Sequence, residues 1–173
     1  MVITPHAVVG SLIAVVIVRL IPKNKDPVWA YLIALPLAFI SHFILDAIPH
    51  WEYNYRDIRN SVLLSRALAD SIIAISLIMV ASRGLEDGFI GFWKRRLIFI
   101  GAFAAILPDI LTLIKNNSVF MQPYLSGFEI FHERIHTRTR ILFLTGFSVE
   151  VMVTFLSFFL IFLLTRNINN NRA

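Results

Sequence analysis

The stretch VWAYLIALPLAFISHFILDAIP, Val28–Pro49, decides the fold class. It is as long as the run of about 20 mostly apolar residues that carries a helix through the hydrocarbon core of a bilayer. Apart from Tyr31, its only ionisable groups are His42 and Asp46. With His50 just beyond, they recur at i, i+4 and i+8, so successive side chains drift by only about 40° around a helix and share one stripe. Ionisable groups on such a stripe are costly against lipid, which points them into a bundle where a metal ion or one another can satisfy them.

Working outward, similar apolar runs cover residues 4–21, 62–81, 97–114 and 141–164. The expected fold is all-α, a polytopic helical membrane bundle of about five transmembrane helices forming a single domain over residues 1–173. Composition agrees: 57% of the 173 residues are hydrophobic and only 16% charged, with 15 Phe and 3 Trp. A soluble domain carries about 25% charged residues, and the mean hydropathy of +0.73 is far above that of a water-facing chain. Pro22, the loop at 51–60 and the Gly84/Gly88 segment punctuate the spans. Pro108 is expected to interrupt the fourth span, and Pro123 to precede a short amphipathic helix over 128–136. The Asn-rich tail, 166–173, is expected to fray. The first run has neither a basic flank before it nor a small-residue cleavage site after it, so it is expected to be retained as a span.

The net charge of +5 fits basic loops beside anionic lipid, with no nucleic acid as partner. In a five-span arrangement nine Lys and Arg fall on one face and seven on the other. The excess is cytoplasmic by the positive-inside rule, giving a cell (inner) membrane protein whose N-terminus is extracytoplasmic. The oligomeric state is not legible. The absence of cysteine removes thiolate metal sites and cysteine nucleophiles, leaving imidazole, carboxylate and hydroxyl chemistry.

All five histidines, His6, His42, His50, His132 and His136, fall at the face where the first span begins. Asp109, after Pro108, is expected to project there from a break in the fourth span. His132-Glu133-Arg134-Ile135-His136 matches H-E-x-x-H, in which two histidines on one helical face hold zinc and the Glu activates water. Glu129 and Glu133 also precede the two histidines by three residues, the spacing of di-iron bundles. Asp70 and Glu150, inside the third and fifth spans, read most simply as ion-pairing groups, with Arg66 one turn from Asp70.

Thr4-Pro5-His6-Ala7-Val8-Val9-Gly10, Ser41-His42-Phe43-Ile44-Leu45-Asp46, Leu107-Pro108-Asp109-Ile110 and His132 to Thr137 together resemble the elements of the membrane-bound metal-dependent hydrolases, small bacterial inner-membrane proteins distantly similar to zinc phospholipases. The order of the elements differs from the family's, and Leu111 stands where the family has a second Asp. The resemblance implies a divalent metal, most simply zinc, held among His6, His42, Asp46, His50, Asp109, His132 and His136. Seven candidates exceed the four positions of one zinc, so either two metals bind or some groups only support the ligands. The expected activity is hydrolysis of an ester or phosphoester of a membrane lipid, with Glu133 or an unligated Asp as base and Arg134, Arg138 and Arg140 on the phosphate. Three other readings remain: an intramembrane H-E-x-x-H metalloprotease, a di-iron oxidoreductase, and a non-enzymatic divalent-cation carrier or structural membrane protein.

Overall fold

The computed structural model describes residues 3–21, 26–50, 61–83, 89–135 and 143–170. Among them the chain is all-helical: α1 (Ile3–Leu20), α2 (Pro27–Asp46), α3 (Ser61–Ser82), α4 (Phe89–Asn117), α5 (Gln122–Ile135) and α6 (Phe143–Asn170). Every helix except α5 is long and apolar enough to cross a membrane. The protein is thus a multi-pass helical membrane protein. Its large exposed side chains are apolar ones such as Ile33, Ile44, Ile72, Met79, Phe103 and Phe155, as expected where hydrocarbon is the outer solvent.

Helix α1 lies at the centre, against α2, α3, α4 and α6. Small residues let it be there. The backbones of α1 and α4 cross at Gly10 and Gly101, where a Cβ built on Gly10 would sit 2.4 Å from the Gly101 carbonyl oxygen and 2.6 Å from the Ala105 Cβ. Close approach through small residues is the usual basis of helix association in a bilayer, where burial of apolar surface supplies no net drive. Ser11 adds a polar tie, its hydroxyl donating to the Ile98 carbonyl at 3.2 Å. Helix α2 approaches the same pair with Ala30, Ala34, Ala38, Ser41, His42, Leu45 and Asp46 buried, a stripe that is small for three turns and ionisable in the last two.

Local signals set the ends. Asp26 caps α2, accepting the Val28 N–H at 2.9 Å, with Pro27 in the first turn, where no N–H is needed. Helix α1 is capped from outside its own sequence. Asp70 of α3 accepts from the Thr4 N–H at 3.2 Å and from its hydroxyl, satisfying one of the orphan donors of a helix start. Asp70 therefore serves as an interhelical cap, and the expected ion pair with Arg66 is replaced by this contact. At the opposite end Thr165 donates to the Ala81 carbonyl at 2.7 Å and Arg19 to the Leu164 carbonyl, tying α6 to α3 and α1.

Several boundaries differ from those read off the sequence, among them the end of α6, which continues to Asn170 through the first residues of the tail expected to fray. Helix α4 begins at Phe89 and absorbs the basic cluster at 94–96, with the Arg96 guanidinium 5.3 Å above the Phe92 ring. Exposed Arg96 carries its charge outward while its stem stays on apolar surface, whereas Lys94 is buried within the bundle, so the cluster need not end the helix. Helix α4 also continues through Pro108 to Asn117. One proline removes a single N–H, and packing on both sides of it, from α1 and α2, holds the helix together. Helix α5 starts at Gln122, because Pro123 falls in the first turn, where proline is compatible with a helix.

Candidate metal centre

The alternation of α1, α2 and α4 brings the start of α1 and the ends of α2 and α4 to one end of the bundle, and α5 folds back across that end. His6, His42, Asp46, Asp109 and His132 meet there. They form two overlapping groups whose candidate ligand atoms lie within 4.8 Å of one another: His6, His42 and Asp46, and His42, Asp109 and His132. Such groups could hold a metal ion. His6, His42, Asp46 and His132 are buried, and Asp109 is the open member, with 20% of its side chain exposed.

The geometry converges on Nε2 of His42. It lies 2.9 Å from His132 Nε2, 2.9 Å from Asp46 Oδ2 and 3.6 Å from Asp109 Oδ1. His132 Nε2 is itself 2.9 Å from Asp46 Oδ2, which makes an equilateral triangle of three ligand-type atoms. Asp46 Oδ1 turns to His6, 3.3 Å from its Nε2, and the His6 ring stacks on that of His42 at a centroid distance of 4.2 Å.

A carbonyl on the far side of one ring fixes its tautomer. His42 Nδ1 is 2.8 Å from the Ala105 carbonyl, which can only accept, so Nδ1 carries the proton and Nε2 of the neutral ring holds a lone pair. His132 Nδ1 is 3.1 Å from the Thr112 hydroxyl, whose oxygen is also 3.1 Å from the Pro108 carbonyl. When the hydroxyl donates to that carbonyl it accepts from the ring, and His132 Nε2 is then a second lone-pair donor. In that state three electron-rich atoms at 2.9 Å need a cation among them, either a further proton or a metal ion. A ring nitrogen turned to a ligand by a carbonyl or hydroxyl behind it is the usual arrangement of metal-binding histidine. Ligand atoms at zinc–nitrogen distances of about 2.0–2.1 Å stand roughly 3.3 Å apart around a tetrahedron. The atoms of His42, Asp46 and His132, 2.9 Å from one another, stand a few tenths of an ångström closer than that, while His6 and Asp109 approach the group at 3.3 and 3.6 Å.

The remaining candidates lie elsewhere. His50 turns back on its own loop, donating Nδ1–H to the Ile48 carbonyl at 2.5 Å, and is in neither group. Glu133 is exposed on α5, one residue around the helix from buried His132. Glu129 pairs with Lys115, which takes it away from the centre and removes the first Glu-x-x-His step. Glu150 is buried on α6. His136, Arg138 and Arg140 lie outside the described residues, and with His136 the second histidine of the H-E-x-x-H pattern.

Two supporting groups were not picked out in the sequence. The Ala105 carbonyl leaves no trace there. Thr112 does, because Ala105, Asp109 and Thr112 follow one another at i, i+4 and i+7 and so share a face of α4. Against protein-family models, curated proteins and solved structures alike, the chain finds no match.

Proposed function

We propose that the protein is a membrane-embedded, metal-dependent hydrolase, with zinc as its metal and an ester or phosphoester of a membrane lipid as its substrate. The observation that carries the reading is the convergence of two imidazole Nε2 atoms and one Asp46 oxygen, each 2.9 Å from the other two. His42, Asp46 and His132 are the ligands in this reading. Two histidines and a carboxylate leave a fourth position open, as catalytic zinc sites do and structural ones do not. Bound zinc supplies Lewis acidity and brings the pKa of a coordinated water toward neutrality.

The chain's own residues do the rest. Asp109, the most open of the five and 3.6 Å from His42 Nε2, is placed to accept a proton from water and pass it to the leaving group. His6 sits against the second oxygen of Asp46 and holds that carboxylate in its orientation. Arg134, exposed on α5, is a cation for a phosphate, and Arg138 and Arg140, outside the described residues, follow it in the sequence. The sequence resemblance to membrane-bound metal-dependent hydrolases supports the same class, and the nine-to-seven count of basic residues favours an extracytoplasmic site at the inner membrane.

An intramembrane protease is the second reading, and it makes Glu133 the base. The exposure of Glu133 beside a buried His132 favours Asp109 instead. The test is turnover of phospholipid vesicles by purified protein, followed as released fatty acid and released phosphorylated head group. Hydrolysis that chelation stops and zinc restores supports the proposal. Metal-loaded protein that cleaves a membrane peptide and leaves every lipid intact overturns it.

A further inference from the structure

Between α2 and α4, on the lipid-facing side, runs a trough of about 460 Å³. That is within the roughly 300–1,000 Å³ of ligand pockets. Pro36, Phe39 and Ile40 form one wall and Phe103, Ala104 and Leu107 the other, so no hydrogen-bonding side chain faces it. The trough exists because Ala104 is small between larger neighbours, while Ala38 beside Ala104 and Ala105 keeps the helices close beneath it.

A run of aromatic contacts links it to the candidate metal centre. The Phe39 ring meets Phe43 edge-on at 5.4 Å, and Phe43 in turn lies 5.5 Å from the His42 ring and 5.8 Å from that of His132. On the other wall Leu107 precedes Asp109 by two residues, and Ala104 precedes the residue whose carbonyl orients His42. We infer that this trough is an acyl-chain site: it takes one hydrocarbon chain of a membrane lipid and so presents the ester or phosphoester at the head of that chain to the His/Asp centre. An extended peptide brings backbone N–H and C=O groups that carbon walls cannot satisfy, and a water-soluble ester brings no chain to fill them. A lipid chain meets both conditions and arrives laterally, without leaving the hydrocarbon.

The position of the head group rests on the lipid-hydrolase reading, whereas occupancy of the trough is measured without reference to metal. The full chain is placed in phosphatidylcholine vesicles doped with a phosphatidylcholine bearing a photoactivatable diazirine at mid-chain, irradiated, and the adducts mapped by mass spectrometry. Residues 35–40 and 100–107 are expected to label severalfold more than the more exposed lipid faces of α3 around Ile72 and of α6 around Phe155. Ala104→Phe fills the trough and is expected to bring its labelling down to theirs, with bound metal retained. Equal labelling of all three faces of the wild type overturns the proposal, and so does undiminished labelling of a folded Ala104→Phe. The wild-type contrast decides the matter even if that variant folds poorly. Preferential labelling of a wild type that binds no metal upholds the acyl site and removes the hydrolase reading instead.

Discussion

His42 donates its Nδ1–H to the carbonyl of Ala105, 2.8 Å away across the contact between α2 and α4. The bond ties the chemistry of the centre to the packing of the bundle. Ala105 is also the residue whose Cβ lies 2.6 Å from where a side chain on Gly10 would begin. The α1–α4 crossing thus sets the position of the group that aims His42.

Gly10→Ala tests that link. The added methyl group meets backbone on one side and Ala105 on the other, so α1 and α4 must part. Overpacking of this kind costs about 1–3 kcal/mol. The expected outcome is a lower midpoint of thermal unfolding in detergent together with weaker retention of metal on dialysis.

Thr112→Val removes the acceptor behind His132 while keeping the shape of the side chain. Loss of such a supporting hydrogen bond costs about 10–100-fold in metal affinity or activity. Competition with a chromophoric chelator is expected to show weakened binding, with helix content by circular dichroism unchanged.

Asp109→Asn separates binding from catalysis. Asparagine cannot accept the proton from water, so turnover of the lipid substrate is expected to fall by about 10²–10⁴-fold. Metal content is expected to stay at the wild-type level, since His42, Asp46 and His132 remain. Glu133→Gln, by contrast, is expected to leave lipid turnover unchanged, and an abolished turnover there assigns the base to Glu133.

Asp70→Ala removes the cap that α3 provides to the start of α1. Helix caps are worth about 0.5–2 kcal/mol. Thermal unfolding is expected to show a loss of that order.

Much of this was legible in the sequence because membrane helices write their burial plainly. Five apolar runs gave the five spans, and His42 with Asp46 at i and i+4 gave the stripe that faces the bundle interior. His6 and Asp109 followed from counting which end of each span faces which side. What escaped was set by neighbours. The sequence around Pro108 reads as a break because proline lacks an N–H, yet packing against α1 and α2 keeps α4 whole. Asp70 looks like an ion-pair partner of nearby Arg66, and only the fold reveals Thr4, which lies 66 residues away. H-E-x-x-H points to Glu133 by pattern, whereas helix α5 buries His132 and turns Glu133 outward. A backbone acceptor such as the Ala105 carbonyl has no sequence signature at all.

The most direct test of the centre is elemental analysis of the full chain, purified in mild detergent and loaded with zinc, alongside His42→Ala and Asp46→Asn. Candidate ligand atoms of His42, Asp46 and His132 stand 2.9 Å from one another, and in the proposed centre a metal ion holds them. The expected result is one zinc per wild-type chain, lost in both variants while their helix content remains. Wild-type protein that takes up no zinc, or variants that keep it, contradicts the account and leaves the three groups held together by a shared proton.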